Sequence, residues 1–287
     1  MVFKKITCND ITIIKKFINS NNYYISDLTV GAIYMWKDFY GYEICYNEDI
    51  LIIKSDDGYL FPLGDYKKAI SLLKNNKITL IPEQYIDLFK NKNLEEIDFR
   101  KDYVYSANDL AYLEDKKFEK KVSHIKNFNN LYPNYSFEII DKNNIKDIIN
   151  EYSNLTRPVE KMAIYEANMA LEMLKHYDKF DFVGMLLRVD GRVVAFTVGE
   201  ILFDILHVHI EKANIEYKGV YQVINNLFSK YILENYNIKY INRQDDAGFE
   251  GLRKAKRSYY PITYYKKYFI KKKCKNHLHI FIFRVII

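Results

Sequence analysis

Apolar residues recur along this chain at two spacings, one helical and one alternating. "NDITIIKKFINS" opens with polar Asn9 and Asp10, and its isoleucines and Phe17 then return at helical spacing, which predicts an early helix. "YEICYNEDILIIKSDDGYLFPLG" follows with β-forming runs broken at Asn47, Asp56 and Gly58, the signature of two or three strands. "DYKKAISLLKNN" is a compact amphipathic helix. "SANDLAYLEDKKFEKKVSHIKNFNNLYP" reads as one longer helical region, with Leu110, Leu113, Val122, Ile125 and Phe128 among its apolar positions and Pro133 as its stop.

The second half starts in the same way. "YSFEIID" predicts a strand, and "NNIKDIINEYSNLT" and "EKMAIYEANMALEMLKHY" predict two helices. "FVGMLLRVDGRVVAFTVGEILFDILHVHIEKA" contains Asp190-Gly191, the strongest hairpin signal in the chain, and reads as three consecutive antiparallel strands. A helix entered through Gly219, the strand "IKYINRQDD" and the helix "FEGLRKAKRSYY" complete the unit. The expected order is β–α–α–β–β–β–α–β–α–β, and the first half is a shorter echo of it without a residue-level repeat. The expected fold class is α/β (α+β), with a boundary near residue 130 dividing 1–130 from 131–287.

At 287 residues, 49% of them hydrophobic, the chain has enough apolar material for buried cores, which excludes wholesale disorder. The net charge of +6 is unevenly spread. Residues 251–287 hold eleven Lys or Arg and no acid, so residues 1–250 carry 32 basic against 37 acidic groups, a net of −5. A positive C-terminal segment suggests an anionic partner such as a phosphate-bearing cofactor, RNA or an anionic membrane surface; a solvated basic tail is the alternative reading. Cys8, Cys45 and Cys274 are far apart and form no CxxC, which fits a reducing cytoplasm and excludes a disulfide framework. The N-terminus lacks a signal-peptide pattern, and no apolar run approaches the ~20 residues of a membrane span. The expected protein is cytoplasmic, and the apolar "HLHIFIFRVII" after Lys271 is expected to be a terminal strand.

The candidate chemistry gathers around "NRQDDAGFEGLRKAKRSYYP", residues 242–261. Here Asp245 and Asp246 end a strand and Arg253, Lys254, Lys256 and Arg257 follow within a short helix. An aspartate where two strands part is a candidate base for an attacking amine or hydroxyl, and Arg243, Arg253 and Lys256 are candidate partners for phosphate or carboxylate. The same aspartates also read as helix caps, and the same arginines as a solvated face. Just upstream, Lys218 and Gly219 precede a helix whose exposed N–H groups would cradle an anion. Glu211 is a second candidate base, with an ion pair to Lys212 or another base as its structural alternative. Tyr259 is a candidate substrate contact or core residue, and Ser258 is read as a backbone hydrogen bonder. His207 and His209, and again His277 and His279, stand two apart, but no carboxylate spacing supports a metal, so none is expected.

Three stretches in order, "FVGMLLRVDGRVVAFTVGE", "HIEKAN-EYKG-YQVIN" and "INR-DD-G-EGLRKAK-SY-P", resemble the phosphatidylglycerol lysyltransferase C-terminal-like family, which includes soluble bacterial members. The likeness covers most of residues 175–261 and extends upstream to "SDLTVGAIYMWKDFYGYE", "LFPLG" and "DYVYSANDLAYLEDKKFEKK". It implies two tandem GNAT-like acyltransferase domains and an acyl or aminoacyl transferase, with Lys218, Gly219, Val220, Tyr221 and Gln222 in the turn that grips a pyrophosphate in ordinary GNAT enzymes, beside Asn242 and Arg243. Three departures stand out. Gln244 replaces the family's usual Glu, Val122 and Ser123 replace an Arg and an Asn, and Tyr221 sits where a coenzyme A binder has a small residue. An aminoacyl-tRNA donor therefore fits better than an acyl-CoA. A catalytically degenerate RNA- or lipid-binding protein is the other class this pattern allows.

Overall fold

The structure is a computed structural model that describes residues 1–74 and 76–271. The expected elements form where the apolar spacing placed them. Helix Ile11–Ile18 buries Ile11, Ile14, Phe17 and Ile18, one face of a helical wheel. Asp190 and Gly191 both take positive φ, 48° and 82°, which is the type I′ geometry that joins Phe182–Val189 to Arg192–Leu202. One expectation is corrected. The single long helix over residues 106–133 is two, Ala107–Tyr112 and Glu119–Leu131, because Leu113 ends the first in the left-handed conformation and buried Phe118 anchors the chain before the second.

Both halves follow one plan. A strand leads to two helices, three antiparallel strands, a helix, and a strand that pairs in parallel with the third of the three. In the first half the parallel pair is Gly58–Leu60 with Ile78–Thr79; in the second it is Ile205–Ala213 with Tyr240–Asn242. This is the expected tandem of GNAT-like folds, each a mostly antiparallel sheet flanked by helices.

The halves also exchange strands. Asp102–Ser106, from before residue 130, sits between Tyr240–Asn242 and Thr263–Tyr265 in the seven-stranded sheet. In return, Lys267–Ile270 pairs with Ile81–Pro82 and Leu94–Glu96. The expected boundary near residue 130 thus separates stretches of sequence whose strands are interleaved in space. Two cores result. On one face of the large sheet, Phe196 and Val198 join Ile148, Tyr152 and the first half's Ile33 and Leu28. On the other, Ala195 and Leu206 pack under Val223, Ile224 and Phe228 of helix Val220–Asn235, with Leu110 and Phe128. No helix among the described residues is long and apolar enough to cross a membrane. The basic tail with Cys274, His277, His279 and the expected terminal strand lies outside the described residues.

Candidate functional site

A parallel pairing inside an antiparallel sheet is where a cleft forms. The pairing of Ile205–Ala213 with Tyr240–Asn242 ends at His207 opposite Asn242, and beyond it the chains diverge. On its other edge the same strand shifts register. Val198 faces Ile210 and Gly199 faces Val208, so His209 is an extra, bulged residue at the mouth of the divergence. The opening is a cleft of about 870 Å³. The outgoing strand and residues 243–247 form its inner walls, the helix Glu250–Arg257 one flank, and the ends of helices Val30–Trp36 and Lys161–Lys175 the other.

Glu211 faces Arg243 across the gap, and the guanidinium donates to its carboxylate at 2.8 Å. The ion pair expected of Glu211 exists, but its partner is Arg243; Lys212 donates instead to Glu166 at 2.5 Å. Arg243 lies over the ring of buried Tyr259, 5.0 Å from its centroid. Lys121 approaches the same ring at 3.9 Å and donates to Ser258 Oγ at 2.6 Å. Burial, then the nearby Arg243 charge, pushes the Lys121 ammonium down to about 8. Burial also pushes Tyr259 up to about 12.

The remaining residues of the 242–259 segment build the wall. Asp246 is buried and its oxygens are fully occupied, accepting from Tyr103 Oη at 2.6 Å, Gly248 N at 2.9 Å and Arg253 at 2.9 and 3.1 Å. Despite burial, Arg253 and Tyr103 hold its carboxyl below the usual range. Asp246 and Arg253 are thus given to each other, and Arg253 does not line the cleft. Lys256 folds back to donate to the carbonyls of Arg243 at 2.5 Å, Gln244 at 3.3 Å and Asp245. Burial lowers it to about 8. Asn242 is fully buried, donating to Asp102 at 2.9 Å and accepting from Gln244 N at 2.8 Å, so it positions the loop from behind.

Asp245 lines the cleft but turns toward an ion network that joins the two halves. Arg100 pairs with it at 2.8 Å and also with Asp27. Buried Lys267 lies between Asp27 and Asp102, 2.6 Å from the latter and 3.8 Å from Asp245. Against the cost of burial, Lys267 and Arg100 hold Asp27 low, while Asp102, Asp27 and Asp245 hold Lys267 high. Three carboxylates within 4.8 Å of one another would suit a cation, and the Lys267 ammonium stands among them.

The expected anion cradle is packed on one side. Gly219 has φ 89°, and a Cβ there would lie 2.7 Å from the His124 carbonyl and 3.2 Å from Phe128 Cβ. Helix Glu119–Leu131 therefore packs closely against the Cα side of the Gly219 turn. Lys218 is exposed to one side and Val220 is buried beneath; of the five predicted residues, Tyr221 and Gln222 line the cleft. The histidines also part company. His207 is fully buried with neither ring nitrogen hydrogen-bonded, and burial pushes it down to about 3. His209 Nε2 lies 3.2 Å from Glu200 and Nδ1 lies 2.9 Å from the Gln244 amide. Glu200 in turn accepts from Val30 N and Gly31 N at the start of helix Val30–Trp36, so the bulge is tied to the first half. Sequence reasoning missed Lys121, Arg100, Asp102 and Lys267. The departures around Val122 pointed to the segment of Lys121, but a contact spanning residues 121 to 259 leaves no local pattern.

A family model described as phosphatidylglycerol lysyltransferase, C-terminal, matches residues 20–271. A conserved protein of unknown function from Bacteroides thetaiotaomicron VPI-5482 is 30% identical with a TM-score of 0.79, covering 94% of this chain and 99% of that one. L-PGS from Bacillus licheniformis is similar at 13% identity and a TM-score of 0.66, covering 95% and 94%. The C-terminal domain of a protein designated a lysylphosphatidylglycerol synthetase, from Agrobacterium fabrum, is similar at 11% identity and a TM-score of 0.64, covering 92% of each. At these lower identities the likeness is one of fold. No curated protein matches.

Proposed function

Because the chain belongs to the phosphatidylglycerol lysyltransferase C-terminal family, we propose that it transfers an aminoacyl group from an aminoacyl-tRNA-type donor to an amine or hydroxyl acceptor. The observation that carries this reading is the cleft at the diverging strands, where Arg243 donates to Glu211 across the gap. That cleft is open, with both cations and carboxylates in its lining. The turn at Gly219 favours this donor over an acyl-CoA, because Tyr221 stands where a coenzyme A binder has a small residue and helix Glu119–Leu131 packs against the Cα of Gly219.

In this scheme the acceptor nitrogen or oxygen attacks the ester carbonyl of the donor. The bond to the terminal ribose oxygen breaks, and that oxygen leaves with a proton from water. Glu211 takes the acceptor's proton, while Arg243 keeps its carboxylate aimed across the cleft. Asp245 borders the same space but is committed to Arg100, which makes it a positioning group rather than the base. Lys121 and Arg243, on the ring of Tyr259, supply positive charge toward the RNA end of the donor.

Titration of the purified protein with coenzyme A, acetyl-coenzyme A and bulk charged tRNA tests the donor. Saturable binding of charged tRNA, weakened about tenfold or more in Arg243→Ala, is expected, since about 1.4 kcal/mol of lost charge-assisted contact is a factor of ten. Binding of the coenzyme A compounds alone would move the protein to ordinary acyl transfer.

A further inference from the structure

The family's match stops at residue 271, but the chain goes on, and the surface it leaves from is distinctive. The last described strand, Lys267–Ile270, runs between Ile81–Pro82 and Leu94–Glu96, and Lys271 N donates to the Asn93 carbonyl at 2.9 Å. Ile270 lines a groove of about 370 Å³ on the first half. Ile70, Ile78 and Phe89 complete its apolar floor, and Leu88 stands 39% exposed beside them. The charged groups in its lining are Lys74, Lys90, Lys92 and Asp87. Lys90 lies 3.6 Å from Asp87, whereas exposed Lys74 and Lys92 pair with no carboxylate among the described residues. Lysines over an apolar floor match an amphiphile with an anionic head.

The sequence that follows repeats this pairing. Lys271 is engaged by Glu95 at 2.6 Å, and Lys272, Lys273 and Lys275 come after it. Of the ten residues 278–287, eight are Leu, Ile, Phe or Val, and no Asp or Glu occurs anywhere after Glu250. Such a stretch is far shorter than the ~20 residues of a membrane span, so its composition suits the surface of a bilayer. Two other occupants fit the groove less well. The same segment turned back on it would bring its lysines against Lys74 and Lys92, like charge on like. RNA would satisfy the lysines and leave the apolar residues without a partner.

We propose that residues 271–287 and this groove together dock the protein on a bilayer that carries anionic lipid. The contact goes beyond the transfer reading and does not depend on it, since it uses a face of the first half that the cleft does not include.

The test is sedimentation of the purified chain with phosphatidylcholine vesicles, with and without phosphatidic acid, in the absence of tRNA. Phosphatidic acid supplies charge without an amine or alcohol to serve as acceptor, so docking is separated from substrate binding. Partitioning onto the anionic vesicles is expected to be at least about tenfold stronger than onto neutral ones, and to weaken as salt is raised. The triple variant Lys272→Glu, Lys273→Glu, Lys275→Glu should lose about 100-fold or more, each lysine near an anionic surface being worth roughly fivefold. Phe281→Ser with Phe283→Ser should lose about tenfold or more, and Lys74→Glu with Lys92→Glu about tenfold. Equal partitioning onto both vesicles, or none onto either, would overturn the proposal and leave the transfer reading untouched. A lower melting temperature in the Phe281, Phe283 variant with vesicle binding intact would overturn it in favour of a segment packed on the groove. Retention by an RNA minihelix without vesicle binding would overturn it in favour of RNA, and unchanged partitioning in the Lys74, Lys92 variant would overturn the part given to the groove.

Discussion

His207 shows how one side chain sets a pH response. It is fully buried with both ring nitrogens unpartnered, and burial pushes it from its ordinary 6.5 down to about 3. The unfolded chain therefore binds a proton at this site below pH 6.5 while the folded protein does not. Stability falls as pH drops through that window, by about 1.4 kcal/mol per pH unit for one such group, until the folded residue also protonates near pH 3. His207→Leu removes the imidazole. Denaturant melts between pH 6.5 and 4 are expected to show a shallower decline in the variant than in the wild type; parallel curves would mean that His207 finds a partner in solution. The carboxylates respond at lower pH. Asp27, held low by Lys267 and Arg100, contributes stability that is complete above its ordinary value of 3.8 and is lost as pH falls through the lower folded value. At the same scale, Asp246 and Arg253 looked like catalytic and binding candidates because of their types and spacing. The structure uses them to hold a loop, and nothing in their sequence separates those two uses.

At the scale of elements, the turn before helix Val220–Asn235 is tightly packed against a neighbouring helix. Gly219→Ala would place a methyl group 2.7 Å from the His124 carbonyl at a φ of 89°, where a side chain is strained. The helices Glu119–Leu131 and Val220–Asn235 would have to part. A loss of about 1–3 kcal/mol in unfolding free energy is expected, with charged-tRNA affinity unchanged well below the melting transition. A loss of affinity at constant stability would instead return the turn to the binding site. Most elements were legible in the sequence, because helix and strand spacing and the Asp190-Gly191 turn are local signals. The break at Leu113 was not, since leucine seldom takes the left-handed conformation it adopts there, so its own preference gives no sign of it. The bulge at His209 was equally hidden: it exists only relative to the partner strand.

At the scale of the whole molecule, the two halves work as one because each completes the other. Asp102–Ser106 closes the second sheet, and Lys267–Ile270 returns to the first half. Lys267 then pairs with Asp27 and Asp102, and Arg100 with Asp27 and Asp245, directly behind the cleft. The repeated order of elements could be read from the chain, but the exchange could not. A segment such as "DYVYS" announces a strand without naming its neighbour, and long-range pairing is settled by tertiary packing. The cleft is accordingly a product of both halves. Glu200 and His209 fix its bulge to helix Val30–Trp36, and its apolar wall includes Met35 and Trp36.

The measurement that bears most directly on this account is transfer itself. Bulk tRNA charged with labelled amino acids would be incubated with the protein and a bacterial lipid and small-molecule extract as acceptor, and label followed from the ester into a ribonuclease-resistant product. Wild-type protein is predicted to move label, and Glu211→Gln, assayed well below its own melting transition because Arg243 loses its partner, to move it about 100-fold more slowly or worse, as removal of a general base does. Transfer that survives Glu211→Gln undiminished, or label that stays on the tRNA with wild-type protein, would contradict the assignment of this cleft.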